Sequence, residues 1–154
     1  MRSIKYALRQ SNLIEGFDSD LLLEDSLRAW EYINDLDVLT LHDIKTIHWL
    51  ITQHQLATDE RGTYRFDNQI NVTVGGYAAP SHHQVLEMML SWLQQATYLP
   101  AKDCHVMFEK IHPFVDGNGR TGRLIYYWQD DKAPIILDKD KQDYYRWFRS
   151  EAPA

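Results

Sequence analysis

The chain has 154 residues, of which 44% are hydrophobic and 25% are charged, and its formal net charge is -6 at pH 7. These values are typical of one globular domain, residues 1–154, and the acidic balance excludes a general nucleic-acid binder, which needs an excess of Lys and Arg. There is no apolar run of about 18 residues for a membrane span and no secretory signal, and the single Cys104 cannot form an internal disulfide, so we expect a cytoplasmic protein.

Three helices are predicted in the first third of the chain. Apolar residues of segment 4–15 recur at helical spacing, and Gly16 follows where a left-handed C-cap residue is needed. Segment 21–33 repeats the pattern after a cluster of Asp and Ser residues that can cap its start. Thr40 can cap a third helix over 41–53.

The periodicity changes between residues 59 and 80. Ile70, Val72 and Val74 alternate with polar residues, and Gly75-Gly76 ends the run, which predicts a short strand or hairpin. Helical spacing returns over the rest of the chain. The predicted segments are 82–99, 101–111, about 119–128, and a final amphipathic piece around 144–148. The sequence therefore predicts a mainly α fold, a compact helical bundle with one small β-hairpin.

Residues 112–123 carry the chemistry of a polyphosphate site. Glycines let backbone N–H groups approach phosphate oxygens, and a helix that begins near Gly119 would direct its positive end at the same anion. Two arginines three residues apart, Arg120 and Arg123, can add charged donors. Asp116 matches the one carboxylate by which proteins often hold Mg²⁺, and His112 can accept a proton near neutral pH.

The same loop also fits a dinucleotide-binding fingerprint. Gly117, Gly119 and Gly122 have the spacing G-x-G-x-x-G, and Asp138 lies where a ribose-binding acid would be expected. That fingerprint must follow a strand, whereas segment 101–111 is predicted to be helical. The context therefore argues against a dinucleotide fold.

The loop resembles the motif of the Fic family, H-x-F-x-(D/E)-G-N-G-R-x-x-R. The residues that match all of its specified positions are His112, Phe114, Asp116, Gly117, Asn118, Gly119, Arg120 and Arg123. The resemblance extends to residues 62–80, which are similar to the family's flap, and to residues 101–130, which are similar to its helix, catalytic loop and helix. Membership would imply the Fic helical bundle with its hairpin flap.

The resemblance implies a protein adenylyltransferase that transfers AMP from ATP to a Ser, Thr or Tyr hydroxyl. His112 would deprotonate the hydroxyl, Asp116 would bind Mg²⁺, and Arg123 would hold the γ-phosphate. The anion hole would be formed by Gly117, Asn118, Gly119 and Arg120. The alternatives are removal of AMP from a protein, use of another nucleotide such as UTP or GTP, and a nucleotide-sensing regulatory module without turnover.

Two further segments acquire roles through the same resemblance. Ser11 and Glu15 fit the pattern (S/T)-x-x-x-E-(G/N) that marks an inhibitory helix in Fic proteins, here within residues 1–17. Glu15 paired with Arg123 would block the γ-phosphate position. The flap would dock the target protein by pairing with an extended segment of it. The docking residues would be Asn71, Val72, Thr73 and Val74.

The remaining histidines carry no metal-binding pattern. His42, His48 and His54 are six residues apart, so they do not share a helical face, and His82-His83 has no further ligand at suitable spacing. We predict His82-His83 to be a solvated helix start and Cys104 to be a small core residue.

Overall fold

The computed structural model describes residues 2–66 and 73–149. Within these ranges the chain is mainly helical with one two-stranded antiparallel sheet, which confirms the predicted fold class. The helices are α1 (Ile4–Ile14), α2 (Asp20–Asn34), α3 (Leu41–Thr52), α4 (Val85–Gln95), α5 (Ala101–Ile111), α6 (Asn118–Gln129) and α7 (Lys141–Tyr145).

Side-chain caps fix the starts of the first three helices. The Ser3 hydroxyl accepts from the backbone N–H of Tyr6, and the Thr40 hydroxyl accepts from that of Asp43. The Asp43 carboxylate in turn accepts from the Thr40 N–H, which completes a capping box. These helices therefore begin and end within a residue or two of the predicted bounds.

Helix α6 lies at the centre of the bundle. It packs against α5, α3, α2 and α1, and from Asn118 to Tyr127 every residue except Gly119 is buried. The core around it includes fully buried side chains such as Ile44, Phe108 and Leu124. Helix α6 is thus held from several sides, which favours a fixed position for the arginines that it carries.

The sheet is a short hairpin. Strand β1 (Thr73–Val74) pairs with β2 (Tyr77–Ala78), and Gly75 and Gly76 form the turn with φ values of 58° and 89°. A side chain at Gly75 would collide with the backbone of Phe148, so the turn needs glycine for space as well as for conformation. The predicted strand residues before Thr73 lie outside the described residues.

Two helix starts can be compared with the prediction. Helix α6 begins at Asn118, one residue before the predicted start near Gly119, with Gly117 as its N-cap. The predicted segment 82–99 begins with a 3-10 turn over His82–Gln84 and becomes α-helical only at Val85. Tight first turns of this kind are common because the first N–H groups of a helix have no intrahelical partner. In residues 2–66 and 73–149, none of the helices combines the length and the apolar character needed to cross a bilayer.

Candidate active site

The catalytic-loop candidate lies between two residues in left-handed conformation. Helix α5 ends at Ile111 with His112 as its C-cap, whose φ is 50°, and α6 starts after Gly117, whose φ is 81°. A side-chain carbon at Gly117 would lie 2.7 Å from Thr52 Cγ2 and 3.3 Å from His48 Nε2. Only glycine fits this turn, because both the backbone conformation and the contact with α3 exclude a side chain.

The loop is closed by its own asparagine. Asn118 Oδ1 accepts from the Phe114 N–H and Asn118 Nδ2 donates to the Phe114 carbonyl, both at 2.9 Å. The Phe114 ring is fully buried, so it packs in the core as its apolar character predicts. The Asn118 side chain therefore shapes the loop, and its backbone N–H is the group available for the predicted anion contact.

Arg65, a buried residue in the flap segment, holds the C-terminal end of α5. Arg65 Nε donates to the His112 carbonyl at 2.6 Å, and Nη2 donates to the carbonyls of Ile111 at 3.0 Å and Pro80 at 2.5 Å. These include carbonyls at a helix C-terminus, which have no intrahelical partner. Arg65 thus fixes the backbone of His112 and joins it to the end of the hairpin, a role that sequence reasoning did not find.

His48 is a second functional candidate that spacing alone did not identify. It is fully buried on the face of α3 that also carries Ile44 and Ile51, and its ring stacks on Phe114. Burial lowers its pKa to about 4, so the ring is neutral. A polar residue on an apolar helix face was the signal in the sequence, since such a residue needs a buried partner.

The guanidinium of Arg123 is the most highly coordinated group of the site. It is 1% exposed. It donates from Nε to Ser11 Oγ at 2.7 Å, from Nη2 to the Ser11 carbonyl at 3.0 Å, and from Nη2 to Glu15 Oε1 at 2.8 Å. From Nη1 it donates to the Tyr144 hydroxyl at 3.2 Å, and that oxygen lies 2.6 Å from His105 Nε2. The predicted residues Ser11, Glu15 and Arg123 are therefore brought together.

The Glu15 carboxylate also stands at the start of α6. A side-chain carbon at Gly119 would lie only 2.5 Å from Glu15 Oε1. The first turn of a helix carries unpaired N–H groups and a positive dipole end, so a negative group is favoured there. Glu15 thus occupies a position suited to an anion.

The two predicted phosphate arginines point in different directions. Arg123 lines a cavity together with His112 and Glu15. The buried Arg120 instead donates to Gln55 Oε1 and lies 5.0 Å from the ring centre of Phe17. Arg120 is thus held between Gln55, which follows the end of α3, and Phe17, two residues past the C-cap of α1. Its predicted contact with phosphate would need this side chain to turn.

Helix α1 is fastened to both ends of α6. Near the C-terminus of α6, Arg2 donates to the carbonyls of Tyr127, Asp130 and Ala133, each at 2.9 Å. At the N-terminus of α6, Glu15 supplies the carboxylate. A base at the carboxyl end and an acid at the amino end both complement the dipole of α6. The charges therefore favour docking of the whole of α1 along α6.

His112 opens into a cavity of about 660 Å³ that it shares with Arg123 and Glu15. The hairpin residues Thr73–Gly76 and the C-terminal residues Tyr144 and Phe148 form other parts of the wall. Burial, helped by the positive charge of Arg65, lowers the pKa of His112 to about 4. Burial raises the pKa of the neighbouring Glu109 to about 7. His112 is therefore neutral at pH 7 and able to accept a proton.

Asp116 suits a magnesium ion that is shared with a phosphate ligand. Its side chain is exposed, and Oδ1 accepts from the Gly117 N–H at 2.8 Å. Within the described ranges, no group of three or more His, Cys, Asp or Glu is placed to hold a metal ion. Mg²⁺ commonly binds through one carboxylate, phosphate oxygens and water, and Asp116 fits that donor set.

A protein-family model matches more than half of the chain. The model of the Fic/DOC family matches residues 38–129. Protein adenylyltransferase Fic of Aedes aegypti is 34% identical over 125 residues, which cover 73% of this chain and 24% of that protein. Protein adenylyltransferase Fic of Drosophila mojavensis is 35% identical over 136 residues, which cover 78% and 26%. The chain thus spans about a quarter of the length of these relatives.

Solved structures share the fold. A Fic family protein from Desulfovibrio desulfuricans superposes with a TM-score of 0.71 at 23% identity, covering 93% of this chain and 56% of the other. A Fic domain containing signaling protein from Bacteroides thetaiotaomicron gives a TM-score of 0.71 at 20% identity, covering 91% and 70%.

Proposed function

Because the chain belongs to the Fic/DOC family, we propose that it transfers AMP from ATP to a Ser, Thr or Tyr hydroxyl of a protein, in the cytoplasm. The observation that carries the proposal is the neutral His112 sharing a cavity with Arg123 and Glu15, at the start of α6. A base and an anion site adjoin there, as nucleotidyl transfer requires. The names of the curated relatives support this class of reaction.

His112 is the proposed general base. The attacking hydroxyl oxygen forms a bond to the α-phosphorus while its proton passes to the imidazole of His112. The bond from the α-phosphorus to the bridging oxygen breaks, and pyrophosphate leaves with that oxygen. The low pKa of His112 keeps the imidazole neutral and ready for this proton at pH 7, and Arg65 fixes the backbone from which it projects.

The start of α6 and Arg123 are the proposed polyphosphate site. Gly119 has no side chain to obstruct an anion, and the carboxylate of Glu15 already lies beside it. Gly117, Asn118, Gly119 and Arg120 would surround the phosphates, and Arg123 would hold the γ-phosphate. Mg²⁺ bound by Asp116 would neutralise part of the charge of the phosphates.

The hairpin is the proposed docking site for the target. Thr73 and Val74 border the cavity that contains His112, so a segment paired with β1 would pass close to the base. Asn71 and Val72, which would extend this edge, lie outside the described residues. Pairing through the backbone would hold a hydroxyl in place without demanding a particular target sequence.

Ser11 and Glu15 are the proposed inhibitory pair. Glu15 takes a donor of Arg123 and Ser11 takes two more, so the guanidinium is already engaged before a γ-phosphate arrives. ATP could then enter only in a displaced pose, and transfer in the resting protein would be slow.

Labelled ATP distinguishes the proposed reaction from its alternatives. The purified chain with Glu15→Gly, which removes the proposed inhibition, is incubated in its native lysate with Mg²⁺ and ATP labelled at the α-phosphate or, separately, at the γ-phosphate. Covalent label on protein from the α-position alone is the expected result. Label from the γ-position alone would mean phosphorylation and would reject the proposal, whereas tight ATP binding without any transfer would favour a regulatory module.

A further inference from the structure

We infer that His48 is a positioning residue that holds the backbone at Asp116 and joins that point to the start of the flap segment at Gly62. The inference rests on the proposed function only through the role of Asp116 as a ligand of Mg²⁺. His48 lies on α3 and is fully buried, so it is not exposed to ATP or to the target hydroxyl.

Two hydrogen bonds determine the state of the His48 ring. The Gly62 backbone N–H donates to Nδ1 at 2.9 Å, and Nε2 lies 2.7 Å from the carbonyl oxygen of Asp116. Because Nδ1 accepts, the ring proton must be on Nε2, from which it donates to Asp116. One neutral tautomer satisfies both contacts, and the other satisfies neither.

Packing fixes the ring in the plane that these bonds require. The imidazole stacks on Phe114 with ring centroids 3.7 Å apart and 5° between the planes. Its edge also approaches the left-handed Gly117, where no side chain would fit. A shift of the Asp116 carbonyl would therefore have to displace either the imidazole or the core ring beneath it.

The arrangement prepares Asp116 for a metal before the metal binds. The Asp116 carbonyl is held by His48, and the Asp116 carboxylate accepts from the Gly117 N–H. A ligand held on both sides loses less conformational freedom when it coordinates an ion. Gly62 is also only two residues before Tyr64, which forms a β-bridge with Phe114, so the flap segment and the metal ligand share one anchor.

A matched pair of variants separates the Asp116 hydrogen bond from stacking. His48→Asn keeps an acceptor near the Nδ1 position and loses the donor to Asp116, whereas His48→Gln keeps a donor near the Nε2 position and loses the acceptor for Gly62. Both lose the ring. Each is made in the full chain with Glu15→Gly, and ATP binding is measured by calorimetry over a range of Mg²⁺ concentrations.

We expect His48→Asn to raise the Mg²⁺ concentration required for half of the metal-dependent gain in ATP affinity by about tenfold. His48→Gln should remain within about threefold of the parent. ATP affinity without Mg²⁺ should be the same in all three proteins, which controls for damage to the nucleotide site. Equal Mg²⁺ dependence in His48→Asn and the parent, or equal impairment by both variants, would overturn the inference.

The wild-type ring gives a test that needs no variant. Imidazole ¹⁵N spectra should show a protonated Nε2 and an unprotonated Nδ1 for His48, and the opposite tautomer would overturn the inference even if both variants failed to fold. If the Glu15→Gly parent bound ATP without any effect of Mg²⁺, the proposed role of Asp116 would fail, and the tautomer alone would decide whether His48 holds the Asp116 backbone.

Discussion

Replacing Glu15 by Gly should activate the protein. The change removes one of the contacts of Arg123, the 2.8 Å ion pair, and leaves the two donations to Ser11 and the one to Tyr144. The buried guanidinium therefore stays hydrogen-bonded, and the fold should tolerate the substitution. Glu15 is the C-cap residue of α1, so the substitution lies outside the helix interior, where glycine is most costly.

The size of the effect follows from the burial of the pair. A hydrogen bond to a charged group contributes about 1.5–3 kcal/mol, and the Glu15 side chain is 37% exposed, so screening favours the lower end of that range. At about 1.4 kcal/mol for each factor of ten, removal of the block should raise the rate at least about tenfold. The measurement is the initial rate of transfer of α-labelled AMP, including self-modification, at saturating ATP and Mg²⁺.

Two glutamine variants control for the loss of charge alone. Glu15→Gln keeps a hydrogen-bonding oxygen near Arg123 but no charge, and should give a rate between those of wild type and Glu15→Gly. Glu24→Gln makes the same chemical change at an exposed carboxylate on α2 and should leave the rate unchanged. Equal initial rates for wild type and Glu15→Gly would refute the inhibitory role of this carboxylate.

Three further substitutions test other parts of the site. In the Glu15→Gly background, His112→Ala should lower the transfer rate by about 10²–10⁴-fold while calorimetry finds ATP affinity nearly unchanged; a rate close to that of the parent would contradict the assignment of the base. Arg2→Ala in the otherwise wild-type chain should raise the basal transfer rate, though less than Glu15→Gly, because it loosens α1 at the other end of α6; an unchanged rate would mean that Glu15 docks independently of Arg2. Glu109→Gln should stabilise the protein at pH 8 by roughly 1–3 kcal/mol in urea unfolding, with no gain near pH 4. Burial raises the pKa of the Glu109 carboxyl in the folded protein from 4.5 to about 7, so between these pH values the folded wild type binds more protons than the unfolded chain. The free energy of unfolding of the wild type therefore falls as pH rises from about 4.5 to about 7. A gain from Glu109→Gln that did not vary with pH would contradict this reasoning.

The sequence determined the class of fold and the residues of the candidate site. Gly117 and Gly119 could be recognised as candidates for an anion-binding turn because such a turn admits few other residues. Periodicity and caps likewise predicted the helices, since the apolar face of each helix and the polar groups at its ends are local properties of the chain. The pairing of Glu15 with Arg123 could also be predicted, but only because the resemblance to the Fic family linked two motifs that lie far apart in the sequence.

Only the tertiary structure decided which side chains hold the candidate site in place. His48 and Arg65 act on backbone groups of the loop, and a backbone carbonyl has the same chemistry at every position, so no sequence pattern marks the partner. The structure also turned Arg120 towards Gln55 while Arg123 faces the cavity, although both arginines lie in one helix three residues apart. Their directions depend on what packs around α6, and that is set by contacts between residues distant in the chain.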